Sequence, residues 1–371
     1  MYSEGDLEAA VAAGALTAQQ AASFRDHVAS RRRAPAVDEE HFRLLTGFND
    51  IFVSIAALIL LVAVAWIGHD IGPRIDVEGP SPLSGLLVAA TAWGLAEFFT
   101  RRRRMALPSI ILLLAFVGGV IAATLFGTVI ALGDDYFENN GAAFTLALSG
   151  GAALGAGAAW FHWRRFRVPI TIAAGAAAAV ALVLGLIAST LIGDGQDIGE
   201  ERAGQIKAIL EGVGLLLGIA TFLFAMWWDG SDPRRETRRS DVAFWLHLLA
   251  APLIVHPIFS LLGLTEGSAS TLDGIAVILL YVVLGLVALA VDRRALLVSA
   301  LAYVLYALNS LFETYGVVEL NVALTALIIG SALLLLSAFW SNVRRAVVRP
   351  LPEGLQARLP VIDRASLPAA A

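Results

Sequence analysis

The chain contains no cysteine, which excludes structural disulfides, thiolate metal centres and cysteine nucleophiles. Charge is scarce too: Asp, Glu, Lys and Arg make up 15% of the 371 residues, against about a quarter in ordinary globular proteins. Catalytic signatures are missing, with no HExxH, no Walker loop and no GxSxG elbow. No catalytic residue, cofactor or metal site is therefore expected, and the chain is not read as an enzyme. A cleavable leader is not evident either, because the first 50 residues are polar rather than a short apolar core.

Apolar residues are what the chain has in abundance, at 58% with a mean hydropathy of +0.76. Crossing a hydrocarbon core of about 30 Å takes roughly 20 apolar residues. Ten such runs begin near Ile51, Leu83, Ala106, Ala142, Val168, Ala208, Val242, Gly274, Ala295 and Val322. The N-terminal segment and every second loop hold 23 of the 26 basic residues, and the intervening loops hold 3. Loops rich in Lys and Arg stay in the cytoplasm, so both termini are expected there. The five opposite loops, "GDDYFENN" and "GDGQDIGEE" among them, carry 14 acids in all against 3 basic residues. Trp66, Trp160, Trp163, Trp227, Trp228, Trp245 and Trp340 fall near span ends, as interfacial residues do, while Trp93 lies deeper. The expectation is an all-α polytopic membrane protein, with the lipid bilayer as its surroundings. About ten transmembrane helices would occupy 48–340, between an N-terminal helical hairpin and linker over 1–47 and a cytoplasmic tail over 341–371.

In the polar N-terminal segment, "SEGDLEAAVAAG" reads as a short helix ending at Gly14 and "LTAQQAASFRDHVAS" as a second, with Thr17 and Gln20 spaced as a capping box. A hairpin this small cannot bury a core of its own, so it should dock on the membrane domain or on a cytoplasmic protein partner. With 8 acids against 5 arginines in residues 1–50, nucleic acid is not an expected partner. "GALTAQQA", with Gly14, Leu16, Thr17, Gln20 and Ala21, precedes a first span ending "AVAWIGHDIGPR". This resembles a family of bacterial predicted membrane proteins classified only as a domain of unknown function. In that family a Gly-x-Leu/Ile-Ser/Thr-x-x-Gln-Ala hairpin precedes a polytopic helical domain, and Trp66 is similar to the tryptophan closing its first span. The family's first short helix often carries a tryptophan that "DLEAAVAA" lacks. The resemblance implies a location in the bacterial cytoplasmic (inner) membrane and no particular activity.

Several residues inside the spans carry chemistry. "SGGAALGAGAAW", with Gly151 and Gly155, and "GLLLG", with Gly214 and Gly218, present small faces that let helices approach closely, within the chain or at a homodimer seam. Glu97 precedes "RRRR" and is spaced to pair with Arg101; Glu211 is spaced to pair with Lys207. Both intramembrane acids remain functional candidates. In the ninth run, Ser299, Tyr303, Tyr306, Ser310 and Glu313 recur at spacings of 4, 3, 4 and 3, one polar stripe flanked by Asn309, with Tyr281 on the preceding run. Such a stripe lines a helix interface or a water-filled cavity. "HLLAAPLIVHP" in the seventh run holds His247, Pro252, His256 and Pro257. The prolines deprive Leu248 and Leu253 of their helical donors, and broken helices at membrane depth often form transporter sites. The two histidines lie nine residues apart, on opposite faces of a straight helix. His256 is thus a candidate on its own, for substrate binding or proton relay.

Five runs per half with both ends inside would set two halves in opposite orientations, an arrangement shared with some secondary transporters. The leading expectation is a transporter-like carrier of a small solute, bound by His256, Tyr303, Tyr306, Ser299, Ser310, Tyr281 and Asn309. The alternative is a noncatalytic membrane sensor or scaffold that recruits a partner through its hairpin.

Overall fold

A computed structural model describes residues 4–31, 48–74, 79–138, 140–193, 199–233, 235, 237–261, 271–294, 296–297, 301, 305, 327, 330–332, 334–337, 339–356 and 359–360. Every regular element among them is helical. Helices α1 (Glu4–Ala12) and α2 (Ala18–Arg31) belong to one compact unit, and the elements from α3 onward to another. Between α1 and α2, Gly14 takes a φ of 72°, a conformation that costs glycine least. The start of α2 carries a reciprocal capping box. Gln20 N–H donates to Thr17 Oγ1 at 3.1 Å, and Thr17 N–H donates to Gln20 Oε1 at 2.9 Å.

The larger unit begins with α3 (Phe48–Ile71) and α4 (Pro82–Ala96), the latter continuing into a π-helical turn over Glu97–Arg102. Then come α5 (Ala106–Leu132), the short α6 (Asp134–Glu138), α7 (Gly141–Phe166), α8 (Ile170–Ile192), α9 (Glu200–Gly230), α10 (Arg238–Leu261) and α11 (Thr271–Val291). Two helices close the described chain, α12 (Trp340–Val348) and α13 (Glu353–Gln356). Seven helices among the described residues, α3, α4 with its π turn, α5, α7, α8, α9 and α10, are long and apolar enough to cross a membrane. Their outward faces carry Phe52, Ile59, Trp66, Leu216, Leu223 and Trp227, all exposed, a surface suited to lipid rather than water. The chain is an integral membrane protein. Helix α11 coincides with the eighth expected run, and the ninth and tenth lie mostly outside the described residues.

Glycine lets the helices meet backbone to backbone. A Cβ at Gly85 would stand 2.5 Å from Gly119 O, and one at Gly119 would stand 2.6 Å from Gly85 O, so α4 and α5 touch at a pair of glycines. On α7, Gly155 faces the Ile121 side chain of α5, where a Cβ would come within 2.7 Å. Gly218 of α9 does the same for α10, with Leu253 O at 2.7 Å from its would-be Cβ. Both small-residue faces read from sequence thus pack within the chain.

Two expectations require correction. Helix α10 is not broken; it runs continuously through Pro252 and Pro257. There α9 packs the backbone of Gly218 against Leu253, the residue whose carbonyl loses its helical donor to Pro257. Trp340 is not interfacial. It is buried, and its indole N–H donates to Asp292 Oδ1 at 2.7 Å, a hydrogen bond that suits a tryptophan removed from solvent.

Candidate functional site

A cavity of about 510 Å³ lies between α8, α9 and α10. Its walls are apolar: Leu184 and Ile192 from α8, Ile206 and Leu210 from α9, and Pro252, Leu253 and Pro257 from α10. Three polar side chains line it, Lys207, Glu211 and His256. His256 Nε2 stands 3.4 Å from Glu211 Oε1, with the imidazole 54% exposed and the carboxylate 15%. Two α10 prolines and Gly214 of α9, itself 3.7 Å from Pro257 Cγ when given a Cβ, form the wall between the two helices. The site therefore combines an open, mostly apolar cleft with one convergent acid–base pair, a composition that suits a small-molecule pocket.

The same two helices hold a second carboxylate and imidazole. Asp229 lies about 18 residues along α9 from Glu211, roughly 27 Å of helix, and is buried. His247 Nε2 meets Asp229 Oδ2 at 2.9 Å. Arg293, just beyond α11, donates from Nε to Asp229 Oδ2 at 3.2 Å and from its terminal nitrogen to Asp229 Oδ1. That terminal nitrogen also reaches the Ser240 carbonyl at 3.0 Å. The Phe222 ring packs edge-on against His247 at 5.2 Å. A buried charge is tolerable when it is paired and its hydrogen-bonding capacity is filled. Asp229 meets that condition with two partners, His247 of α10 and Arg293 beyond α11.

Next to this clasp, Asp292 ties α12 to the bundle. Arg235 donates to its Oδ2 at 2.9 Å and to its carbonyl at 2.9 Å, Trp340 donates to Oδ1, and Arg344 Nε lies 3.6 Å from Oδ1. Arg344 also donates to Pro360 O at 2.6 Å. Arg294 stacks over the Trp340 ring at 5.0 Å. The clasp and this neighbouring cluster join the ends of α9, α10, α11 and α12.

Of the candidates read from sequence, His256 and Glu211 come together in the cavity, which Lys207 also lines. Glu97 pairs with Arg101 at 3.3 Å as expected, and also with Arg165 of α7, from Nε to Oε1 at 2.6 Å and from the terminal nitrogen to Oε2 at 2.9 Å. Tyr281 is not at the cavity. It packs against the cluster of Ala251, Ala288, Leu289, Leu296, Leu297 and Trp340, and its hydroxyl is buried with no hydrogen-bond partner among the described residues. Ser299, Tyr303, Tyr306, Asn309, Ser310 and Glu313 lie outside the described residues. Sequence reasoning missed Asp229 and Arg293, which read as charges at span ends. The signal available was their opposite sign, in "WWDG" and "VDRR", at the same expected face of the membrane.

No protein-family model, no curated protein and no solved structure matches this chain.

Proposed function

We propose that the protein is a carrier for a small amphipathic solute, bound in the cavity between α8, α9 and α10 with Glu211 and His256 as its polar contacts. The observation that carries this reading is the placement of an acid–imidazole pair against apolar walls, at the end of the α9–α10 pair remote from the buried Asp229 clasp. A carrier needs one end of its path open to solute while the other is shut. The cavity supplies the first and the clasp of Asp229, His247 and Arg293 the second. An apolar solute body would lie on Leu184, Ile206 and Leu210, and a charged or hydrogen-bonding group would compete with His256 for Glu211. The reading includes about ten spans with both termini in the cytoplasm of a bacterial cell; a periplasm-dependent reporter fused after Ala371 should be inactive, and activity would refute that topology.

Single cysteines test the cavity, because the chain has none of its own. Leu210→Cys and Leu253→Cys should react with a membrane-impermeant thiol reagent applied from the side on which α8 ends and α9 begins, and not from the other side. Failure to label from either side would mean that the cavity faces lipid, and the carrier reading would fall.

A further inference from the structure

Two arginine-rich segments meet at one end of the bundle. Arg101, Arg102, Arg103 and Arg104 follow α4, and Arg164, Arg165 and Arg167 end α7; all seven are exposed. They are 60 or so residues apart in sequence, and Glu97 joins them by accepting from both Arg165 and Arg101. Glu97 sits in a π-helical turn, a distortion that recurs at functional sites. One carboxylate cannot neutralise seven guanidinium groups. Among the described residues, Arg102 and Arg104 have no ion pair, and no other acid occurs in the sequence from 98 to 133 or from 141 to 193.

Three more features give this surplus a defined form. Arg103 lies over Phe98 at 5.5 Å, Arg164 over Trp160 at 5.2 Å and Arg167 over Trp163 at 5.7 Å. Trp160 is exposed, as tryptophans are at headgroup level, and so are Phe161 and Phe98. Arg104 and Arg167 both adopt left-handed backbone, with φ of 53° and 56°, where glycine or asparagine would be relaxed and a long side chain is strained. Every basic residue of the chain except Lys207 is arginine, the side chain whose planar fork matches phosphate oxygens in pairs.

We propose that the juncture of the α4 π turn, the start of α5 and the end of α7 is a binding site for the phosphate headgroup of an anionic phospholipid. Arg103, Arg104, Arg164 and Arg167 contact the phosphate, Glu97 holds the two arginine segments together through Arg101 and Arg165, and Trp160 and Phe98 flank the glycerol and upper acyl region. Basic pockets between membrane helices bind such headgroups, drawn by the negative leaflet surface. Charge alone would serve to orient a membrane protein. A built site requires guanidinium geometry as well, and this difference makes the proposal testable.

The full chain, purified in neutral detergent, would be titrated with phosphatidylglycerol or phosphatidylcholine and the retained lipid counted by native mass spectrometry. Phosphatidylglycerol should be retained in clear preference. The quadruple variant Arg103→Lys, Arg104→Lys, Arg164→Lys and Arg167→Lys keeps every charge and hence the membrane orientation, yet should bind phosphatidylglycerol about tenfold more weakly or worse. Arg238→Lys with Arg239→Lys, at two exposed arginines elsewhere, should leave binding unchanged. Wild-type affinity in the quadruple variant would overturn the proposal in favour of diffuse attraction. Displacement of the lipid by millimolar inorganic phosphate would overturn the lipid as occupant and leave a site for free phosphate.

Discussion

Helices α9 and α10 each contribute to two carboxylate–imidazole pairs, and the pairs differ in everything but their chemistry. Asp229 and His247 are buried, 2.9 Å apart, with Arg293 completing the carboxylate's contacts. Glu211 and His256 are 3.4 Å apart beside a cavity, with the imidazole more than half exposed. Between them Gly218 presses α9 onto Leu253 of α10. Environment, and not residue type, thus separates a structural fastening from a site that a ligand can enter. The fastening draws its third member from beyond α11, so it secures several helices at once, whereas the open pair joins α9 to α10.

The largest effect is expected where the pair is closed. Asp229→Ala removes the acceptor from both Arg293 and His247 and so breaks a buried ion pair by taking away one partner, a change worth about 3–5 kcal/mol. Thermal unfolding in detergent measures it. Adding Arg293→Met to an Asp229→Leu variant removes both charges, and should restore much of the loss because paired charges are often replaceable by apolar side chains. An Asp229→Ala protein that unfolds at the wild-type temperature would erase the contrast between the two ends.

A smaller effect is expected at the contact that divides them. Gly218→Ala places a Cβ 2.7 Å from Leu253 O and 2.8 Å from Leu253 C. Backbone cannot swing aside as a side chain can, so the helices must part at a cost of about 1–3 kcal/mol. Gly212→Ala, on the same helix with open space around it, should cause no loss. Equal stabilities for the two variants would refute the backbone contact at Gly218.

The comparison also shows what could be read from sequence. Contacts within one helix were legible: the Thr17–Gln20 capping box and the Glu97–Arg101 pair both follow from spacings of three and four residues. Membrane depth was legible from hydropathy, which is why the described spanning helices fall on the expected runs. Rotation about each helix axis was not. Asp229, His247 and Arg293 come from three segments, with 18 residues between the first two and 64 between Asp229 and Arg293. No local spacing rule reaches that far, and charges at span ends read equally well as groups in contact with water. For the same reason Arg165 was not foreseen on Glu97, 68 residues away, and Trp340 was assigned to the interface on its position at a span end.

The smallest stability change is expected at the open pair, where one substitution made twice on a single helix separates chemistry from surroundings. His247→Gln removes a buried partner of Asp229 and should cost about 1–3 kcal/mol, since a charged acceptor in a dry site loses a hydrogen bond. His256→Gln alters a side chain that is 54% exposed and at the outer limit of hydrogen-bond distance from Glu211, so the unfolding transition should move by less than about 1 kcal/mol. The two variants share the same change in side-chain type, and any difference between them reports burial and partners. Labelling of Leu210→Cys should persist in the His256→Gln background, because the cavity walls are apolar and do not depend on the imidazole. If His256→Gln instead destabilised the protein as much as His247→Gln, His256 would be a second fastening between α9 and α10. The cavity would then keep its shape and lose the polar contact that the carrier reading assigns to it.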